Sequence, residues 1–132
     1  MDSILTSIKK LLGITKECTS FDADLIIHIN SVFLILKQLG VGPEKGFSIT
    51  GEYETWDQFL PEGSENFEAV KSFMHIKVRL LFDPPTSSVV MEAMNRMANE
   101  FEWRLNAEAE SPTNIEEENQ NDEYTEYEYE YY

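Results

Sequence analysis

Two histidines, one cysteine and one glycine-rich turn are the places in this 132-residue chain where chemistry would have to begin. His28 and His75 stand far apart. Neither has a second histidine four residues away or a His-Glu-x-x-His frame, the spacing that sets two imidazoles on one helix face around zinc. Both read as solvated or structural histidines. Cys18 is the single cysteine, so no internal disulfide can form, and the neighbouring Glu17 disfavours a thiolate nucleophile. The run Gly40-Val41-Gly42-Pro43-Glu44-Lys45-Gly46 has the glycines of a phosphate-cradling loop, but such a loop needs a strand before it and a helix after it. Here an apolar helical pattern comes first, Lys45 falls ahead of Gly46, and Phe47 stands where the lysine belongs. No Ser, His and Asp set can be assembled from the sequence. These residues predict no catalytic residue, no metal ligand and no cofactor: a protein that is not an enzyme.

Charge narrows the function classes further. Ten Lys and Arg stand against 25 Asp and Glu, and ten of those acids but none of the bases follow Asn106. A net charge of −15 excludes a duplex-gripping protein, which needs clustered cations to neutralise phosphates. A DNA-mimic inhibitor is the alternative that a small acidic chain suggests; its carboxylates would be spread over the folded surface, whereas these gather in the tail. The first twelve residues carry Lys9 and Lys10 inside an amphipathic pattern and lack the order of a signal peptide, and no apolar run has the roughly 20 residues that cross a bilayer. Synthesis in a reducing cytoplasm and no membrane association are expected.

The elements that would position side chains are helical. Ile4, Leu5, Ile8, Leu11 and Leu12 recur at helical steps and predict a first helix over Ser3 to Leu12, ended by Gly13. A second follows Thr19, whose spacing to Asp22 suits a capping-box variant, and runs to Leu39. Its stripe of Leu25, Ile26, Ile29, Val32, Phe33, Leu36 and Leu39, with Ile27, Leu34 and Ile35 off the stripe, predicts a central helix. From Gly40 to Asn66, glycine and proline break every regular pattern, and a long ordered loop is expected, with a short extended piece at Phe47 to Thr50 and one capped turn between Thr55 and Gln58. A third helix spans Phe67 to Phe82 and stops at Asp83-Pro84-Pro85. Its Phe67, Val70, Phe73, Met74, Val78 and Leu81 face inward. Ser87 or Ser88 caps a fourth helix to about Asn106, along which Val90, Met94, Met97, Phe101 and Leu105 keep the 3.6 period.

The expected fold is all-α: a four-helix bundle-like domain at 1–106, a long ordered loop between helices 2 and 3, and an extended acidic tail at 107–132. Trp56, Phe59 and Trp103 either fill the core or anchor contacts with a partner, Trp103 because it falls off the face drawn by Phe101 and Leu105. The tail is either a solvated end or an arm. Tyr127, Tyr129 and Tyr131 alternate with glutamates at the period of a strand, which an isolated segment cannot stabilise and a partner's sheet can.

The order Leu12-Gly13-Ile14, Phe21-Asp22, Ile29-Asn30-Ser31, Gln38-Leu39-Gly40-Val41-Gly42-Pro43, then Lys77-Val78-Arg79-Leu80-Leu81-Phe82-Asp83-Pro84-Pro85 and Glu102-Trp103-Arg104-Leu105-Asn106 resembles the head-to-tail connector (adaptor) proteins of tailed bacteriophages, in particular those infecting Gram-positive hosts. The resemblance covers about residues 10 to 106. It implies a structural subunit of the virion neck, made in the host bacterial cytoplasm, that forms a dodecameric ring under the portal protein. DNA would pass through the lumen without tight binding, and a stopper or tail-completion protein would attach beneath. On that footing Phe47, Ile49, Trp56 and Phe59 of the loop, with Arg79, Trp103 and Arg104, are the expected contacts between subunits. Lys71, Lys77 and Arg96 are further cations expected to meet a neighbour's acids. Tyr124, Tyr127, Tyr129, Tyr131 and Tyr132 are expected to bind the portal.

Overall fold

In a computed structural model of the chain, residues 2–61 and 63–129 are described, with side chains up to residue 109. The described residues form five helices: α1 (Ile4–Leu11), α2 (Asp22–Gln38), α3 (Trp56–Phe59), α4 (Phe67–Phe82) and α5 (Ser88–Tyr129). The all-α architecture is the one the periodicity predicts, with α3 as the single capped turn. Ser3 caps α1 by accepting from the Thr6 amide at 3.2 Å, and the Ser87 hydroxyl accepts from the Val90 amide at 3.4 Å, the second as the sequence predicts. α2 is different. It begins directly after Phe21 with no side-chain cap, and Thr19 contributes only its carbonyl, to the Asp22 amide. Asp22 and Asp24 in the first turn supply the favourable charge at that end instead.

α4 is the middle helix. It packs against α2 on one side and α5 on the other, while α1 lies on α2. Val70, Phe73, Met74, Ile76 and Val78 are buried on it, so α4 shares the central place with the more apolar α2. Leu25, Ile29, Val32, Phe33 and Leu36 are buried on α2, yet Ile27 and Leu34 stand 62% and 57% exposed. On α4, Leu81 faces outward rather than inward, because the helix ends just past its last buried turn. On α5, Ala98 and Leu105 are buried, but Val90 and Met97 are half exposed, so the 3.6 period marks a face only part of which is covered.

Helix directions follow from end contacts. The Phe21 and Phe82 rings meet edge to face at 5.4 Å, which sets the start of α2 beside the end of α4. A short turn at 83–87 then reverses the chain into α5. α2 and α5 therefore run parallel on opposite flanks of α4. Their far ends converge: a Cβ built on Gly40 would lie 3.3 Å from that of Ala109, which itself packs on the core.

α5 is continuous to Tyr129, where the sequence predicts an extended tail after residue 106. An existing helix end elongates without the cost of nucleation, and glutamate is a good helix former.

Candidate assembly surfaces

The loop from Gly40 to Gly63 is the longest segment without a long helix, and its hydrogen bonds explain why it is ordered. Asn30, on α2, offers its carboxamide to the backbone of Ile49 as a strand would. Nδ2 donates to the Ile49 carbonyl at 2.9 Å, and Oδ1 accepts from the Ile49 amide at 2.7 Å. This explains why the expected extended piece around Ile49 is held without a strand partner. Below it the Glu54 carboxylate accepts from the Thr50 amide and hydroxyl, both at 2.8 Å, and closes a tight turn. Burial acts to raise the pKa of Glu54, but the Thr50 hydroxyl and the Thr50, Glu54 and Gly51 amides together outweigh it and hold the carboxyl below its ordinary value. The Gln58 side chain accepts from the Thr55 amide at 3.0 Å and fixes the start of α3.

These bonds deliver four aromatic side chains to one place. The Phe33 ring lies 4.7 Å from Phe59, 5.0 Å from Phe47 and 6.4 Å from Trp56, centroid to centroid, in tilted and edge-on geometry. The Trp56 indole N–H donates to the Ser7 hydroxyl of α1 at 2.8 Å, which satisfies its only polar atom. Gly42 takes φ +92°, and a side chain there would strike the Phe59 ring, so backbone and aromatic cluster are fitted to one another. Ile49, Trp56 and Phe59 are buried, with Phe47 half-buried against them. The apolarity of the loop, which suggested contacts with neighbouring subunits, is met inside the subunit itself.

The remaining expected contact residues lie on the helices. Trp103 is 71% exposed on α5, outside the buried core cluster. Arg104 pairs with Glu100 one turn back at 2.6 Å in an exposed bridge, a geometry worth only a few tenths of a kcal/mol. Arg79 is half-buried on α4. Lys71 sits over the Phe67 ring at 4.5 Å and is partly spent there. Tyr131 and Tyr132 lie outside the described residues, and so do the side chains of Tyr124, Tyr127 and Tyr129.

Residues with chemical potential are scattered. Among the described residues no three of His, Cys, Asp or Glu converge. His28 leans on Phe82 at 6.4 Å between ring centres. His75 lines a groove of about 560 Å³ between α1 and α4 together with Lys10, Lys71 and Trp56, but its Nε2 is buried without a hydrogen-bond partner. Burial first, and the Arg79 charge second, push its pKa below the ordinary 6.5, with the Leu11 backbone pulling the other way.

Two structural residues were not singled out by type. Lys9 is 3% exposed; its ammonium donates to the Lys16 carbonyl at 3.1 Å and lies 2.9 Å from Asp22 Oδ1, an ion contact angled away from a hydrogen bond. It ties the end of α1 to the start of α2. A lysine on the apolar side of a helical pattern is the available signal, and Asp22 at the start of the next helix completes it. Asn30 has no comparable signal, since only the fold brings Ile49 to it.

Against known proteins, the family model described as Phage connector protein matches residues 4–112. No curated protein and no solved structure matches the chain.

Proposed function

Because the chain belongs to the phage connector protein family, we propose that it is a head-to-tail connector subunit of a tailed phage. It would form a ring beneath the portal protein, let DNA pass and carry the stopper or tail component. The observation that carries this is the extent of the match, which takes in α1 to α4 and α5 as far as its last described side chains. Several features support it. α5 presents Val89, Met97 and Trp103 to solvent, more large apolar surface than a helix working alone requires. The net charge of −15 keeps duplex DNA at a distance, as a conduit should. No helix among the described residues is long and apolar enough to cross a membrane. The ring is proposed as dodecameric, with the tyrosines of the tail as its attachment to the portal. Mixing the purified chain with isolated portal protein and imaging the product by electron microscopy tests the reading. A ring seated on the portal is expected; a chain that stays monomeric and unbound beside intact portal overturns it.

A further inference from the structure

Two helices leave an apolar stripe uncovered, and both stripes lie on the back of the face that packs inward. On α2 the buried positions are Leu25, Ile29, Val32 and Leu36, while Ile27 and Leu34 are exposed with Ser31 between them. Each exposed residue lies two positions beyond a buried one, about 200° round the helix. α5 repeats the arrangement: Ala98 and Leu105 are buried, and Val89, Arg96 and Trp103, spaced by seven, are exposed about 160° away. The stripes therefore face away from α4 on its two flanks.

They also stand at the same height. α2 and α5 run parallel, and Gly40 meets Ala109 at their converging ends. Leu34 and Trp103 each lie six residues before that contact, about 9 Å back along the axis; Ile27 and Arg96 each lie seven residues, two turns, further back. A second copy brought alongside without any shift along the helices would set Leu34 against Trp103 and Ile27 against the aliphatic stem of Arg96. Charge agrees with this register. Asp24 is exposed one turn before Ile27, and among the described residues Arg96 makes no ion pair.

We infer that the outer face of α2 in one copy docks on the outer face of α5 in the next, in parallel, with Leu34 on Trp103 and Asp24 on Arg96. The contact is heterologous: each copy keeps one free α2 face and one free α5 face, so the association propagates and closes into a ring when the rotation allows. Trp103 is the anchor, a large flat ring seated on a branched aliphatic, flanked by one charge pair that fixes the register. The inference rests on the connector reading and adds which surfaces carry it.

The test uses the full chain with Cys18→Ser, in two forms. Ser31→Cys with Glu100→Cys, both exposed, each nine residues before the Gly40–Ala109 contact and sparing the anchor, should give, on mild oxidation or with a short thiol cross-linker, a ladder of covalent oligomers. Gln38→Cys with Glu100→Cys, two turns out of register, should give little. Separately, Asp24→Arg and Arg96→Asp should each weaken assembly on the order of tenfold, and the double variant should recover most of the loss, which a folding defect could not do. Rings that assemble in these backgrounds with no cross-link between positions 31 and 100 and no charge-swap recovery overturn this interface and leave the connector reading standing. A wild-type chain that forms no ring, alone or with portal, overturns both.

Discussion

The loop at Gly40 to Gly63 and the outer face of α5 carry similar cargo and treat it in opposite ways. Both present large aromatic and aliphatic residues outside the main helical stripes. The loop folds back so that Trp56, Phe59 and Ile49 are buried, whereas α5 leaves Val89 and Trp103 in water. The difference lies in whether an intramolecular partner exists. Phe33 and the carboxamide of Asn30 project from α2 toward the loop, so its side chains and its backbone both find a home. Among the described residues, nothing covers Val89 and Trp103 on the back of α5. Apolar content alone therefore does not mark a docking surface; apolar content left without an internal partner does.

The sharpest way to break this comparison is to treat the loop as an interface and remove its anchor. Phe59→Ala should cost about 3 to 5 kcal/mol of folding stability, the range for emptying a buried aromatic site, read as a fall in the denaturant midpoint of the isolated subunit. A variant as stable as wild type would return Phe59 to a role between subunits. Asn30→Ala comes next. It strands the Ile49 N–H and C=O together, and a loss of about 2 to 4 kcal/mol is expected from two unsatisfied groups, with water entering to soften it. Amide exchange at Ile49 should accelerate in parallel; unchanged protection there would mean that the loop is held by its aromatics alone.

A smaller effect is pH-dependent. The folded pKa of His75 lies below its ordinary 6.5, so the unfolded chain binds the proton more readily. Its contribution is therefore full above about pH 6.5 and declines as pH falls toward the folded value. The denaturant midpoint should drop between neutral and mildly acidic pH, and His75→Gln should flatten that segment of the profile. Glu54, also depressed, adds a loss of the same sign only below about pH 4.5, which separates the two groups on one titration. An identical slope in the His75 variant would remove the histidine from the account. The smallest expected effect on folding is at Trp103. Trp103→Ala should alter subunit stability by no more than about 0.5 kcal/mol, as for other exposed positions, while assembly falls. A large destabilisation would show that Trp103 belongs with the loop residues and would end the contrast between the two regions.

Much of this protein was legible in its residues. Helical periodicity, the serine cap at Ser87, the stops at Gly13, Gly40 and Pro84-Pro85, and the single turn after Thr55 are local properties, decided by neighbours within a few positions of each other. For that reason the all-α class and the bounds of α4 could be read before any contact was known. The order of breaks and apolar runs likewise pointed to the connector family, since such an order records how a core is divided along the chain. What the sequence could not decide is which apolar residues meet one another. The stripe on α2 predicts a central helix, but α2 shares the centre with α4, on which both α2 and the long α5 pack. Ile27 and Leu34 remain outside because nothing among the described residues covers them. Asn30 and Ile49 lie 19 residues apart and Trp56 and Ser7 lie 49 apart, so neither pairing has a local signature. Burial is a property of long-range packing, and only tertiary structure assigns Phe59 to the interior and Trp103 to the surface.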